Sequence, residues 1–244
     1  PAGIPAFMAT ACYKFNDARS TGRSVYTNKP KIHAYRAPSM PQVTLAFELV
    51  MNELAAELKI DPLEFRLINA VEERDVNMMG APYKRIGLRE CLEAARSHPH
   101  YQSAVADGTG RGIAAGYWIN AGGQSSATLN VSADGHVALL TGSPDIGGSR
   151  ASMALMAAEV LGIPIETIHP QVVATDAVGY CDVTGGSRTT LATGQAVIQA
   201  ADELVAELCR RAALHWNVPE SDVEWPVGAA HHGAQSFSYE DFSS

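Results

Sequence analysis

Apolar and polar residues recur along this chain with two periods, and the change of period organises it. Over residues 42–58 (QVTLAFELVMNELAAEL), Leu45, Leu49, Asn52 and Ala56, with Ala46, Val50 and Leu54, form an apolar stripe at helical spacing. Pro41 falls in the first turn, where its missing N–H costs nothing. Asp61 as N-cap, Pro62 at the first helical position and Glu64 in a capping-box pattern predict a second helix over 62–70. Residues 88–97 form a third, short amphipathic helix. From residue 111 the period shortens. Residues 111–119 (RGIAAGYWI), 125–132 (SSATLNVS) and 136–141 (HVALLT) read as strands, and Asp134-Gly135 is a hairpin signal between the last two. A helix follows from about Ser149 to Leu161, closed by Gly162 at C′ and kept from continuing by Pro164. Residues 168–174 are strand-like, a long helix covers roughly 188–214, and the polar tail after Pro219 has room for short strands.

Helices mixed with hairpin-linked strands argue for an α+β fold with mixed or antiparallel sheets and packed helices. The polar stretch VEERDVNMMGAPYK, broken by Gly80 and Pro82, marks a boundary and divides the chain into 1–78 and 79–244.

Composition narrows the class. With 244 residues, 46% apolar and 18% charged, the chain is long enough to bury a real core and is neither disordered nor collagen-like. A net charge of −8 without a Lys/Arg run argues against nucleic acid as a partner. No apolar run is long enough to span a bilayer, and the first residues lack the layout of a signal peptide. They also lack an initiator Met, so the sequence reads as part of a longer chain. Cys12, Cys91, Cys181 and Cys209 are far apart with no C-x-x-C, which suggests neither zinc nor a disulfide framework and fits a reducing cytoplasm. His98/His100 and His231/His232 have no Cys or carboxylate at ligand spacing, so no metal bound by protein side chains is expected.

One feature carries chemistry. Gly-Gly-Ser-Arg occurs twice, as Gly147-Gly148-Ser149-Arg150 and Gly185-Gly186-Ser187-Arg188, each shortly after an aspartate (Asp145, Asp182) and each opening a predicted helix. Helix starts expose free N–H groups and partial positive charge, paired glycines admit a ligand close to the backbone, and arginine adds a planar fork of donors. Thr189 and Thr190 add hydroxyls. A single copy reads first as plain turn-and-cap chemistry; two in one region bring a shared polyanionic ligand level with that reading. There is no Walker pattern, and Gly108-Thr-Gly-Arg-Gly112 leads into a strand rather than out of one, so it is no dinucleotide fingerprint.

Residues 145–201, with their Gly-rich turn, the helix ending Ala-Glu-Val-Leu-Gly-Ile-Pro, a strand, and the Gly-Ser-Arg-Thr-Thr…Gly-Gln-Ala-Val helix, resemble the xanthine dehydrogenase/aldehyde oxidase/carbon monoxide dehydrogenase large subunits. So do Tyr13-Lys14, Asn28, Tyr35-Arg36-Ala37-Pro38, Pro41-Gln42, Asn52-Glu53-Leu54-Ala55 and Asp61-Pro62…Arg66…Asn69. The likeness covers most of 10–215 in the family's order.

The resemblance implies a fragment of a molybdenum hydroxylase: 1–78 as the C-terminal part of a first molybdopterin-binding domain, 79–244 as the N-terminal part of a second. It implies a molybdenum–pyranopterin cofactor, with or without a dinucleotide extension, and hydroxylation of an aldehyde or N-heterocycle with water-derived oxygen. Iron–sulfur clusters and FAD belong to other domains or subunits. Arg36 matches the family's arginine at the cofactor, residues 147–150 and 185–190 its pterin and phosphate loops, and Tyr35 and Pro38 lie by the substrate pocket. Three departures stand out: Gly148 where many members have Gln, Pro38 where xanthine dehydrogenases have an aromatic, and no Cys in residues 35–40 as carbon monoxide dehydrogenases carry. The general-base glutamate sits in a Gly-Glu-Pro-like motif that this sequence lacks, since Glu220 lies in VPESDVEW. The base is therefore expected outside this chain, which alone is expected to be inactive. The alternative is a non-catalytic scaffold or binding domain that has lost the metal.

Overall fold

The computed structural model describes residues 3–30, 35–239 and 241–243. It contains two compact units, Pro1–Trp118 and Ile119–Ser244. The expected division at 78/79 lies inside the first of them.

The first unit is helical: α1 (Gly3–Met8), α2 (Met40–Leu58), α3 (Pro62–Asn69), α4 (Leu88–Ser97) and α5 (Pro99–Gln102). Leu92 of α4 packs onto Leu63 and Leu67 of α3, which is why residues beyond 78 belong to this unit. Asp61 caps α3 as expected, accepting from the Leu63 and Glu64 amides at 2.9 and 3.0 Å. Glu64 does not close a capping box; its carboxylate pairs with Arg96 at 3.3 Å. On α2 the apolar stripe read from the sequence faces outward: Leu45, Leu49, Val50 and Leu54 are exposed, and the buried positions are Met40, Glu48, Met51 and Ala55. Glu48 is drawn inward by Arg66, a buried cation that needs a carboxylate. Residues 111–119, expected as a strand, pair with nothing in ladder fashion; Ala115 is buried and donates its N–H to Glu48.

The second unit is α+β. Strands β1 (Thr128–Val131), β2 (Val137–Thr141) and β3 (Ile168–Val172) form a mixed sheet, β1 antiparallel to β2 and β2 parallel to β3. The β1–β2 hairpin turns at Gly135 (φ +80°), as Asp134-Gly135 predicts. The parallel β2–β3 pair needs a crossover, which α6 (Ser149–Leu161) supplies. Gly162 ends α6 at φ +68°. A π-turn over Thr189–Thr193 runs into α7 (Gly194–Trp216). Met153, Ala154, Ala157 and Leu161 of α6, Val197 and Ala201 of α7, and Val137, Leu139 and Ile168 of the sheet make one core. Strands β4 (Ala229–His232) and β5 (Gln235–Ser238) form a small hairpin after α7. No helix among the described residues is long and apolar enough to cross a membrane.

Candidate functional site

Both Gly-Gly-Ser-Arg turns fall in the second unit and lead into adjacent helices. Ser149 and Arg150 from the first and Thr189 and Thr193 from the second line one crevice, with Thr141 and Ser143 between them. The crevice measures about 10 Å³, room for one water at most. There is no room between the helices for anything larger. Leu139, Met153 and Pro170 share the crevice lining with bonded hydroxyls: the Thr193 hydroxyl, fully buried, lies 2.8 Å from Ser143 Oγ and 3.0 Å from Ser125 Oγ.

At the first turn Gly147 and Gly148 adopt φ +62° and +98°, conformations that favour glycine. Ser149 is buried and donates its hydroxyl to Asp145 Oδ1 at 3.0 Å. The Arg150 amide reaches the same oxygen at 3.2 Å, and its Nε meets Oδ2 at 3.1 Å. Asp145 thus already neutralises Arg150 and caps the start of α6. Those donors, the Arg150 amide first, hold its carboxyl below the usual carboxylate range.

The second turn is built differently. Arg188 is 3% exposed and points back into the protein. Its guanidinium donates to the carbonyls of Gly122 and Gln124 at 2.5 Å each, to the Asp182 carbonyl at 3.0 Å and to Ser125 Oγ at 2.8 Å. Asp182 completes this clamp by accepting from the Gln124 amide at 2.7 Å and the Tyr180 hydroxyl at 2.8 Å, which hold its carboxyl below the usual range. Gly186 (φ +64°) passes so close to Ala121 that an added Cβ would stand 2.5 Å from the alanine methyl. Cys181 sits behind the loop. Burial pushes its thiol up, but bonds from the Ser126 amide and hydroxyl, Ser143 and the Gly142 amide together outweigh that and bring it below the ordinary thiol value.

Of the sequence-predicted cofactor residues, the structure gathers Ser149, Arg150 and Thr189 around the crevice. Gly147, Gly148, Gly185, Ser187 and Thr190 are exposed at the surface, Gly186 half-buried. Arg188 is spent on holding the loop. Where a Cβ would stand at Gly147, Gly148 and Gly185, no heavy atom lies within 4 Å, so these backbones are open to a ligand. Residues 120–124 fall outside every element and site expected from the sequence, yet with 125 and 126 they form the segment that Arg188 and Asp182 hold. Its signal was Gly122-Gly123, both at positive φ, which lets the chain run against Asp182 and Arg188.

Arg36, Tyr35 and Pro38 belong to the first unit. Arg36 (φ +39°), Ala37 (φ +46°) and Ser39 (φ +66°) are left-handed non-glycine residues in a short loop before α2, a concentration of strain of the kind that marks functional loops. Tyr35 is almost wholly exposed and Pro38 half-buried. The loop's helix is anchored by an unanticipated network. Glu48 accepts from Arg66 Nε at 2.8 Å, Tyr13 OH at 2.5 Å and the Ala115 amide at 2.8 Å, while Arg66 also donates to Asn52 Oδ1 at 2.9 Å and the Pro62 carbonyl at 2.8 Å. Glu220 lies exposed in a short 3-10 turn, Glu220–Asp222. Among the described residues no cluster of three or more His, Cys, Asp or Glu is arranged to hold a metal ion.

The molybdopterin cofactor-binding domain family matches this chain twice, over residues 2–70 and 89–244. The aldehyde oxidoreductase molybdenum-binding subunit PaoC of Escherichia coli O157:H7 is 32% identical over 164 residues, covering 62% of this chain and 22% of that protein. The nicotine 6-hydroxylase large subunit of Paenarthrobacter nicotinovorans is 27% identical over 249 residues, covering 92% of this chain and 30% of that one. The crystal structure of the aldehyde oxidoreductase from Desulfovibrio desulfuricans superposes with a TM-score of 0.71 at 29% identity, over 85% of this chain and 24% of that one. The chain thus spans less than a third of the length of each of these proteins.

Proposed function

Because the chain belongs to the molybdopterin cofactor-binding domain family, we propose that it cradles the molybdenum–pyranopterin cofactor of an oxidoreductase that hydroxylates an aldehyde or N-heterocycle with oxygen from water. The observation that carries this reading is that the two glycine-rich turns lead into segments whose Ser149, Arg150, Thr189 and Thr193 line one small crevice, with open backbone at Gly147, Gly148 and Gly185. Amides there suit a negatively charged pterin or phosphate group, whose charge complements the N-terminal ends of helices. Thr190 adds an exposed hydroxyl. Arg188 shapes the second turn from behind instead of gripping the ligand, and Asp145 steadies Arg150 and Ser149 at the first. Arg36 is assigned to the cofactor, and Tyr35 and Pro38 to the substrate pocket, on the resemblance. When bound, the cofactor supplies the two-electron redox chemistry, and the protein orients it and tunes its surroundings.

In the same reading, residues 1–78 end a first cofactor-binding domain and 79–244 begin a second. The general base, the iron–sulfur clusters and FAD come from outside this chain, and the enzyme is cytoplasmic. A second reading, a domain that keeps the fold without the metal, is favoured by the withdrawal of Arg188 and the neutralisation of Arg150 by Asp145. Molybdenum by elemental analysis and pterin by fluorescence after oxidation, in the enzyme that contains this chain, decide between them. Both are expected in the wild type, and both are expected to fall in Gly148→Val and Thr190→Val. A metal-free, pterin-free wild type establishes the second reading; full content in both variants removes the turns from the site.

A further inference from the structure

Two glycine-rich turns can serve one ligand only at a fixed spacing, and Thr193 stands where that spacing is set. It closes the π-turn Thr189–Thr193 that joins the second turn to α7. Turns of this kind interrupt regular helices frequently at functional sites. The next residue, Gly194, brings the start of α7 so close to α6 that an added Cβ would stand 2.6 Å from Met156 Sδ. The helix that leaves the first turn and the helix that follows the second therefore meet at this junction.

The Thr193 side chain is fully buried, and its hydroxyl lies within a chain of bonds. On one side Ser125 Oγ, 3.0 Å away, accepts from Arg188, the residue that holds the second turn. On the other side Ser143 Oγ is 2.8 Å away. Ser143 is itself buried and stands between the end of β2 and Asp145, whose carboxylate caps the first turn. One hydroxyl is thus bonded toward the supports of both turns. Valine would fill the same volume without those bonds. A fully satisfied buried hydroxyl chain rigidifies its surroundings and specifies one geometry.

We propose that Thr193 is a positioning residue for the cofactor: its hydroxyl fixes the spacing of the two turns, and retention of the pterin depends on it. The proposal rests on the reading above, that the turns hold a pterin.

The test follows bound pterin during dialysis of the enzyme that contains this chain, by fluorescence after oxidation. Thr193→Val is expected to release pterin about tenfold faster than wild type, the effect of one lost hydrogen bond, with unchanged circular dichroism. Thr193→Ser keeps the hydroxyl and is expected to release it at the wild-type rate. Ser143→Ala removes the same bond from the other side and is expected to match Thr193→Val; it carries the test if the valine variant does not fold. The double variant is expected to release pterin no faster than either single one. Leu208→Ala empties a buried position further along α7 and lowers thermal stability, and it is expected to leave the release rate unchanged. Wild-type rates in Thr193→Val and Ser143→Ala, a Thr193→Ser as fast as the valine variant, or equal acceleration by Leu208→Ala overturns the proposal and leaves the cofactor reading intact. A wild type without pterin overturns that reading, and this proposal with it.

Discussion

Replacing Glu48 by glutamine tests the central argument about the first unit. Arg66 is fully buried, and the Glu48 side chain is 6% exposed. The carboxylate balances the guanidinium across 2.7 Å and receives the Tyr13 hydroxyl and the Ala115 amide as well. Glutamine keeps the volume and part of the hydrogen bonding but removes the charge, leaving a buried cation uncompensated. Breaking a buried pair in this way costs about 3–5 kcal/mol, a large part of a domain stability of about 5–15 kcal/mol. Removing both partners is a different perturbation. Glu48→Gln with Arg66→Met leaves no buried charge, so the double variant is expected to recover roughly 2 kcal/mol or more of the summed single losses. Urea denaturation followed by circular dichroism gives the energies, and hydrogen exchange of α2 and α3 amides assigns them to this unit. A Glu48→Gln loss under about 1 kcal/mol, or singles that simply add in the double, would refute the reasoning.

The remaining expectations concern the second unit. Gly186→Ala forces a methyl against Ala121 at φ +64° and is expected to cost about 1–3 kcal/mol by thermal unfolding, with the amides of segment 120–126 losing exchange protection first. Asp145 and Asp182 are held below their ordinary range by donors in the fold. Their folded values lie below the unfolded ~3.9, so the stability they add is present above that pH and is lost as pH falls through the folded values. Amides 145–150 and 120–126 are therefore expected to stay protected through the ordinary carboxylate range and to loosen only as pH falls below it; loosening already within that range would contradict the clamp. Cys181 is expected to alkylate faster than Cys12, whose thiol is buried and pushed up to about 11, as peptide mapping after iodoacetamide treatment will measure.

Much of the local structure is legible because its causes are local. Asp61 and Pro62 start α3, Gly162 ends α6, and Asp134-Gly135 turns the β1–β2 hairpin, each through chemistry within a few residues. The two Gly-Gly-Ser-Arg turns were visible for the same reason: paired glycines before a helical pattern define a start wherever they occur. The roles of their arginines were not. Arg150 meets Asp145 five residues away, but Arg188 reaches Gly122, Gln124 and Ser125, more than sixty positions upstream. No spacing rule ties those residues together.

The same limit explains α2. Periodicity says that residues 42–58 are helical, and an apolar stripe normally marks the inward face. This helix is apolar on most of its circumference, so pattern alone did not select a face. Burial of Arg66 did: a buried cation requires a carboxylate, and Glu48 is the one that the packing of α3 against α2 brings within 2.7 Å. The amino-acid order alone therefore determines α2, α3, α4, α6 and α7, the β1–β2 hairpin, the α+β class and the pair of glycine-rich turns, since hydrogen bonds and backbone preferences between near neighbours specify them. Which arginine is free, which face is buried and which distant carbonyls are satisfied were decided only by the tertiary structure, because desolvated charges take whatever partners the completed packing provides.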